Sequence, residues 1–224
     1  MRNTNKKIIK SLKSSLIASC QPVAKGPMDK PSIILALAKA SINGGAKGLR
    51  IEGYKNLKLI KSKLKVPVIG IKKHITKKYP IIITPFLSDI DKIANLGAEI
   101  IAFDATFRER PSSVKKIISR IHFHKKIALA DCSTFQEAYA AVNDGADIVA
   151  TTLSGYTNNK KIPRLPDFKL IKKCKKLEVP VIAEGRYNNA KLFSKAIRYG
   201  AHAVVVGTAL NRIEIITRSF VNEV

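Results

Sequence analysis

Four segments of the chain share one pattern, and this repeat limits the possible folds more than any other feature. In each, a helical stretch ends at a glycine, alanine follows, and a short β-branched run leads to a polar or glycine-bearing end. The segments are NGGAKGLRIEG (43–53), NLGAEIIAFDA (95–105), NDGADIVATTL (143–153) and RYGAHAVVVGT (198–208). Glycine is the usual residue just past a helix C-terminus. The pattern therefore predicts four helix-to-strand junctions.

Four further strands are predicted from apolar runs that precede or separate these segments: SLIASCQ (15–21), VPVIGIKK (66–73), KIALADCS (126–133) and VPVIAEGR (179–186). Strands that are continuously apolar are buried on both faces, which is typical of parallel sheets. Eight strand–helix units in 224 residues predict an α/β fold, a single-domain (β/α)8 TIM barrel spanning 1–224. An open doubly wound sheet is disfavoured, because no G-x-G-x-x-G motif occurs and the strands are regularly spaced.

Local signals add three expectations. A short N-terminal helix precedes the first strand. Ser133 or Thr134 in STFQEA is expected to cap the helix that follows the fifth strand. The run YPIIITP (79–85) looks like an extra strand, and we place it as an extension of the loop after the third strand.

The N-terminal stretch KKIIKSLKSSLIASC superficially resembles a lipoprotein signal. Lys10 and Lys13 interrupt its apolar run, whereas a signal needs about 7–15 uninterrupted apolar residues. No segment approaches the roughly 20 apolar residues of a membrane span. The three cysteines form no C-x-x-C pair, which fits a reducing compartment and gives no disulfide framework or structural zinc site. We expect a soluble, cytoplasmic protein with no membrane partner.

The chain carries a formal net charge of +25 and has a pI near 10.1. Such a value can indicate nucleic-acid binding. However, the lysines are spread along the chain, and no arginine-rich tail, zinc finger or RNP-like aromatic motif is present. We interpret the charge as a solvated lysine-rich surface that also attracts anionic substrates, with no nucleic-acid partner. A nucleic-acid-binding barrel is the less favoured alternative.

Polar residues recur where the predicted apolar strands stop. Active sites of these barrels lie at the C-terminal ends of the strands. Recurrence at so many strand ends is a stronger signal than any one residue. In chain order the ends carry Gln21, Arg50 with Glu52, Lys73, Asp104, Asp131, Thr151 with Thr152, Glu184 with Arg186, and Gly207 with Thr208.

The last two strand ends predict a phosphate site. AEGR and VVVGTALNR place Gly185 and Gly207 after strands seven and eight, where such barrels hold phosphate through backbone N–H groups. Arg212 is near enough in sequence to add a guanidinium fork. Arg186 and Thr208 complete the predicted phosphate-binding set. The alternative is that both glycines form only tight turns.

Single residues leave alternatives open. Lys73 is a candidate base if it points into the barrel mouth, where burial and the charge of Lys72 would lower its pKa. Otherwise it is an ordinary surface lysine. Asp104 and Asp131 could be caps or loop ligands, and Arg50 a structural ion-pair partner. The histidines at 74, 122, 124 and 202 look incidental. HFH (122–124) lacks acidic companions at metal-ligand spacing, so no metal is assigned.

Several motifs together resemble one enzyme family, the bacterial N-acetylmannosamine-6-phosphate 2-epimerases. The resemblance runs from about residue 14 to the C-terminus. TTLSGYT and DATFRERP are more specific to that family than generic barrel phosphate motifs. The other matching stretches are LIASCQ, ALAKASINGGAKGLRIEG, VPVIGIKK, ITPFLSDIDKIANLGAEII, ALADCSTFQEA, PDFKLIKKC, VPVIAEGRYNN and GAHAVVVGTALNR.

The resemblance implies interconversion of N-acetylmannosamine 6-phosphate and N-acetylglucosamine 6-phosphate in sialic acid breakdown. The family's proton-transfer lysine and glutamate fall on Lys73 in GIKK and Glu184 in AEGR. Its substrate-binding arginine, aspartate and glutamine fall on Arg50, Asp131 and Gln21. Asp104 and Thr152 join the predicted substrate contacts, with a structural role as the alternative for both.

Two departures from the family pattern occur. The family more often has arginine where His74 follows the catalytic lysine, and the usual glycine pair after strand eight is Gly207–Thr208 here. Epimerisation at C2 needs one base and one acid, and neither a redox cofactor nor a metal. A Schiff-base aldolase that uses Lys73 is the rival enzyme class. We expect a homodimer.

Overall fold

The computed structural model describes residues 2–76, 78–80, 82–157 and 161–223. Its centre is a closed barrel of eight parallel strands in sequential order, in which β8 pairs with β1 to close the ring. The predicted (β/α)8 barrel is confirmed. The strands are β1 (Ser15–Ser19), β2 (Gly48–Glu52), β3 (Val68–Ile71), β4 (Ile100–Asp104), β5 (Ile127–Asp131), β6 (Ile148–Ala150), β7 (Val181–Glu184) and β8 (Ala203–Val206).

Helices surround the barrel and bury the outer face of the sheet. Among the described residues no helix has both the length and the apolar character needed to cross a bilayer. The helices are α1 (Asn3–Ser11), α2 (Pro31–Asn43), α3 (Tyr54–Lys63), α4 (Leu87–Asn95), α5 (Val114–Phe123), α6 (Phe135–Asn143), α7 (Phe168–Cys174), α8 (Ala190–Arg198), α9 (Thr208–Asn211) and α10 (Ile213–Val221).

The predicted N-terminal helix is present as α1, and it closes the N-terminal end of the barrel. Ile9 and Leu12 pack with the apolar side chains of the barrel interior. His202, just before β8, donates from Nε2 to the carbonyl of Ile9 at 2.7 Å. Helix α1 therefore covers the end of the barrel opposite to the strand ends at which the sequence predicts the site.

Of the two residues expected to cap the helix after β5, Thr134 is the one that does so. Thr134 is the N-cap of α6, and its hydroxyl accepts from the N–H of Glu137 at 3.3 Å. The Glu137 carboxylate accepts in return from the N–H of Thr134 at 2.8 Å. This capping box satisfies two N–H groups that a helix start leaves without intrahelical partners.

Successive side chains of a strand point to opposite faces of the sheet, so every second residue of each strand faces the barrel interior. This alternation determines which polar residues face the barrel mouth. Alternate residues such as Ile127 and Leu129 fill the barrel interior, whereas Ala128 and Ala130 pack against the helices. The next inward position of β5 is Asp131. The same count leads from Ile71 to Lys73. The inward rows thus change from apolar to polar as they leave the barrel interior.

Segment 79–85 forms no ninth barrel strand within its described residues, in line with the expected loop extension. It folds back on β3 through one antiparallel bridge between Lys73 and Ile83. The N–H of Thr84 donates to the Lys72 carbonyl at 2.7 Å, and the N–H of Asp104 donates to the Ile83 carbonyl at 3.0 Å. Residues 77 and 81 of this loop lie outside the described residues.

Candidate active site

An arginine between two carboxylates forms the centre of the barrel mouth. Arg50 lies in β2 and forms a two-pronged pair with Asp131 of β5, Nη2 to Oδ2 at 2.6 Å and Nη1 to Oδ1 at 3.1 Å. Its Nη1 also lies 2.9 Å from Oε2 of Glu184 in β7. The Arg50 and Asp131 side chains are 1% and 0% exposed, and that of Glu184 is 15% exposed. Glu184 is therefore the most exposed member of the trio.

The charges of this trio are unequal, because one guanidinium faces two carboxylates. Burial opposes the charge of Arg50, but Asp131 and Glu184 outweigh it and raise the pKa of Arg50. Burial raises the pKa of Glu184, and the negative charge of Asp131 raises it further. Arg50, a hydrogen bond from Thr152 and the charge of Lys73 act in the opposite direction without cancelling the rise. Glu184 therefore holds a proton more readily than an exposed glutamate does.

Two consecutive threonines after β6 surround Glu184. The Thr151 hydroxyl donates to the Glu184 carbonyl at 3.0 Å and accepts from its N–H at 3.1 Å. The Thr152 hydroxyl lies 2.5 Å from Oδ1 of Asp131 and 3.2 Å from Oε2 of Glu184. Thr152, predicted as a substrate contact, therefore contacts both carboxylates of the site. A direct contact with substrate stays a prediction.

Lys73 lies at the same mouth, and its electrostatic surroundings fit a base. Burial lowers the pKa of Lys73, and the positive charges of Arg50 and Arg212 lower it further. Glu184 and Glu52 oppose this shift. The lowered pKa of Lys73 agrees with the expectation from sequence, but the charge of Lys72 is not among the causes of the shift. Lys72 turns aside to pair with Glu52, Nζ to Oε1 at 3.0 Å.

Glu52, to which sequence gave no role, connects the two neighbouring lysines. The Oε1 atom that pairs with Lys72 also accepts from the backbone N–H of Lys73 at 3.2 Å. Glu52 is the last residue of β2, opposite Ile71 in the sheet register. Its strand-end position was the signal that could have pointed to this role.

Gln21 and Arg212 meet where β1 and β8 end. The Gln21 side chain donates from Nε2 to the Ser19 hydroxyl at 2.8 Å, and its buried Oε1 has no protein partner among the described residues. Arg212 donates from Nε to the Gln21 carbonyl at 3.1 Å. Arg212 is also close enough to lower the pKa of Lys73. The first and last strands thus contribute to one region of the mouth.

The turn after β8 is narrow. A Cβ on Gly207 would lie 3.3 Å from the Ser19 Cβ, so the glycine permits close approach to β1. Thr208 begins α9 and is exposed. Sequence reasoning missed Asn211, which is buried and donates to the carbonyls of Ser19, at 2.7 Å, and Gly207, at 3.2 Å. No motif marked it, because only the fold brings β1 beside this turn.

The turn after β7 is strained in the way glycine permits. Gly185 has a φ of 108°, in the left-handed region, and Arg186 follows at 67°. The Arg186 guanidinium donates to the carbonyls of Leu165, at 2.8 Å, and Ser154, at 2.6 Å. It therefore holds the loop after β6 against the β7 turn. Its predicted anion contact stays a prediction, as do the phosphate contacts of Gly185, Gly207, Thr208 and Arg212.

Asp104 is bound within its own loop. Its carboxylate accepts from the Thr106 hydroxyl and from Nη2 of Arg108, each at 2.6 Å. Nη1 of Arg110 donates to the Asp104 carbonyl at 2.6 Å. Arg108 continues to the Pro80 carbonyl at 3.1 Å, so the loops after β3 and β4 are joined. These contacts correspond to the structural alternative for Asp104, and its substrate contact stays a prediction.

The histidines lie away from this mouth or at its edge. His122 pairs with Asp147 at 2.8 Å and His124 with Asp91 at 2.6 Å, partners that sequence spacing could not reveal. His74 contacts the buried Asp89 at 3.0 Å. Within the described part of the chain, no group of three or more metal-ligating side chains is placed to hold a metal ion.

The mouth combines a lysine with a lowered pKa and a carboxyl group with a raised pKa, both at strand ends. Enzymes raise the pKa of a catalytic glutamate and lower that of a catalytic lysine through burial and neighbouring charges. Arg50 and Asp131 hold the carboxyl group in place. Such an arrangement can remove a proton from carbon and return one without a separate catalytic group.

Comparison with known proteins agrees with this chemistry. A family model described as "Putative N-acetylmannosamine-6-phosphate epimerase" matches residues 34–224. A Pasteurella multocida protein named "Putative N-acetylmannosamine-6-phosphate 2-epimerase" is 48% identical over 97% of this chain and 95% of its own length. One of the same name from Actinobacillus pleuropneumoniae is 47% identical over 99% and 96%.

A solved structure shows the same likeness in three dimensions. It is the N-acetylmannosamine-6-phosphate 2-epimerase from Clostridium perfringens, with a TM-score of 0.93 and 37% identity. The alignment covers 96% of each chain. The extent of these matches and the shared architecture lead to one conclusion: the chain belongs to the N-acetylmannosamine-6-phosphate 2-epimerase family.

Proposed function

We propose that this protein interconverts N-acetylmannosamine 6-phosphate and N-acetylglucosamine 6-phosphate during sialic acid breakdown, the N-acylglucosamine-6-phosphate 2-epimerase reaction (EC 5.1.3.9). The observation that carries the proposal is the placement of Lys73 and Glu184 in one barrel mouth with their pKa values shifted towards each other. The names of the relatives support the choice of substrate.

The chemistry needs one base and one acid on opposite faces of C2. In the open-chain sugar, C2 lies beside the C1 carbonyl, so loss of its proton gives an enolate. Neutral Lys73 takes the C2 proton from one epimer, and protonated Glu184 gives a proton to the other face. The reverse reaction uses the same groups with the proton states exchanged.

Substrate contacts follow the remaining strand ends. Gln21 offers its free Oε1 to a hydroxyl or amide group, and Arg50, Asp131, Asp104 and Thr152 complete the proposed sugar-binding set. The phosphate is placed at the turns after β7 and β8, against Gly185, Arg186, Gly207, Thr208 and Arg212. An anchored phosphate allows remote binding energy to position the reacting carbon.

Deuterium incorporation tests the reaction. Purified protein is incubated with N-acetylmannosamine 6-phosphate in deuterated water, and the product is examined by proton NMR. We expect N-acetylglucosamine 6-phosphate that carries solvent deuterium at C2. A product with protium retained at C2 would contradict deprotonation and reprotonation.

The rival aldolase reaction has its own signature. A Schiff base between Lys73 and a sugar carbonyl would be trapped by borohydride as a stable mass increase on the protein. We expect no sugar adduct on Lys73 after borohydride treatment with substrate. A stoichiometric adduct there would favour the aldolase.

The location, domain organisation and partners of the protein are also proposed. We place the chain in the cytoplasm as one catalytic domain over 1–224, consistent with three free and buried cysteines. We propose a phosphorylated amino sugar as the ligand and no nucleic-acid or membrane partner. Retention on DNA with a steep salt dependence would contradict the nucleic-acid part.

We also propose a homodimer. The last two helices expose large apolar side chains, namely Leu210, Ile213, Ile215, Phe220 and Val221, each more than two-fifths exposed. Exposed apolar surface of this kind is typical of protein–protein contacts. Sedimentation equilibrium measures the assembly, and a monomer at micromolar concentration would contradict the dimer.

A further inference from the structure

One hydroxyl lies between the two carboxylates of the site. Thr152 Oγ1 is 2.5 Å from Oδ1 of Asp131 and 3.2 Å from Oε2 of Glu184. A hydroxyl has a single proton to donate, so it serves one carboxylate at a time. The nearest cation, Arg50, already faces both carboxylates. The two carboxylates therefore offer more hydrogen-bond acceptors than the site has donors. The orientation of the Thr152 hydroxyl decides which carboxylate receives its hydrogen bond.

The two oxygens of Glu184 are not equivalent. Oε2 faces Nη1 of Arg50 at 2.9 Å and the Thr152 hydroxyl at 3.2 Å. Among the described residues, Oε1 makes no hydrogen bond or ion pair. An oxygen that faces two donors is the poorer place for a proton, since the proton would repel both. Oε1 is thus the atom left to carry and transfer the proton.

We propose that Thr152 is a positioning residue for proton transfer: its hydroxyl, together with Arg50, holds Oε2 of Glu184 and presents Oε1 to the substrate. This inference rests on the proposed epimerase function. It gives Thr152 a second role beside its proposed contact with the sugar. The hydroxyl also responds to the charge of Glu184, because it has Asp131 as a second acceptor within reach.

The Thr152 hydroxyl changes its acceptor each time Glu184 gains or loses a proton. The distances of 2.5 Å to Oδ1 of Asp131 and 3.2 Å to Oε2 of Glu184 correspond to a hydroxyl that donates to Asp131. When Glu184 ionises, the hydroxyl turns to Oε2. When Oε1 takes a proton from C2, the carboxyl group loses the charge that attracted the hydroxyl, which then rotates to Oδ1 of Asp131. When Oε1 returns the proton to the carbanion, the hydroxyl turns back. The hydrogen bond from Thr152 lowers the pKa of Glu184 against the effect of burial, in agreement with this geometry.

The neighbouring threonine provides a matched control. Among the residues that the structure describes, Thr151 Oγ1 hydrogen-bonds only to the backbone N–H and carbonyl of Glu184, at 3.1 and 3.0 Å. Loss of the Thr151 hydroxyl should loosen β7 without touching the carboxylate. Loss of the Thr152 hydroxyl should alter the carboxylate while leaving the backbone contacts intact. The two valine variants therefore separate support of the strand from control of the proton.

The test compares Thr152→Val, Thr152→Ser, Thr151→Val and Glu184→Gln, with rates of epimerisation measured across pH. Thr152→Val should lower kcat about tenfold and leave KM within about twofold, because a transition-state contact is lost. Its Glu184-dependent pH limb should move to higher pH. Thr152→Ser should restore both, and Thr151→Val should leave the limb in place. Circular dichroism checks folding, and Thr152→Ala substitutes if the valine variant is unfolded.

Deuterium exchange sharpens the result. In the epimer whose C2 proton faces Lys73, Thr152→Val should still exchange C2 with solvent, although conversion to the other epimer is slowed. Equal loss of exchange and conversion, an unchanged pH limb, or a serine variant as impaired as the valine variant would overturn the inference. So would a rise in KM with kcat unchanged. Near-normal epimerisation by Glu184→Gln would instead overturn the proposed function itself.

Discussion

The Lys73 and Glu184 sides of the site are held in different ways. Glu184 is fixed at its backbone by Thr151 and at its carboxylate by Arg50 and Thr152. Lys73 is fixed through its backbone, by Glu52 and by the bridge to Ile83, and its Nζ has no hydrogen-bond partner among the described residues. Hydrogen bonds therefore orient the Glu184 carboxylate, whereas burial and nearby charges set the pKa of Lys73.

This difference follows from the side chains. A buried carboxylate needs donors to avoid a large desolvation cost, so donors come with it and fix its direction. A lysine acting as base must lose its charge, and hydrogen bonds to acceptors would preserve it. Burial near Arg50 and Arg212 favours the neutral amine instead. We therefore expect variants around Glu184 to act through lost hydrogen bonds, and variants around Lys73 to act through its pKa.

The largest effect is expected at Lys73. Lys73→Met removes the base and should lower kcat by about 10²–10⁴ or more, the range for general acid–base groups. Lys72→Met is the matched control, because Lys72 pairs with Glu52, and it should keep kcat within a few-fold. Steady-state kinetics measure both. If Lys72→Met were the inactive variant, the assignment of Lys73 as the base would be wrong.

Glu184→Gln should also lower kcat by about 10²–10⁴, but with a gain in stability. The folded-state pKa of Glu184 is raised, so its stabilising contribution is present below the unfolded pKa and is lost as pH rises through the folded pKa. The variant should therefore unfold at a higher temperature than the parent at pH 8, with the difference vanishing near pH 4. Calorimetry at both pH values measures this. A lower unfolding temperature at pH 8 would show that the pair with Arg50 outweighs burial.

The smallest effects come from the charges around Lys73, and they have opposite signs. Arg212→Gln removes a charge that lowers the pKa of Lys73, so the Lys73-dependent limb of the pH profile should move to higher pH. Glu52→Gln removes a charge that raises this pKa, so the limb should move to lower pH. Only Arg212→Gln should also raise KM, about tenfold, since it is a proposed phosphate ligand. Shifts in the same direction would contradict the electrostatic account of Lys73.

Much of the site was predictable, because strand parity carries the information. Lys73 follows Ile71 by two residues, and Asp131 follows Leu129 by two, so apolar inward positions lead directly to polar ones. Arg186 was less predictable. Its place after a strand-end glycine suggested an anion contact, which stays a prediction, and nothing in the sequence indicated that its guanidinium also holds the loop after β6. A strand-end position fixes where a backbone lies, but a long side chain chooses its partners in three dimensions.

The eight strand–helix units, a helix cap at Ser133 or Thr134 and the strand ends that carry Lys73 and Glu184 could be read from the residues alone. These are local properties, set by periodicity, turn chemistry and residue type over a few neighbouring positions. The folded barrel was needed to show that Arg50 contacts both Asp131 and Glu184, that Lys72 pairs with Glu52, and that Thr152 lies between two carboxylates. Those contacts join different strands, and their partners become neighbours only when the barrel closes.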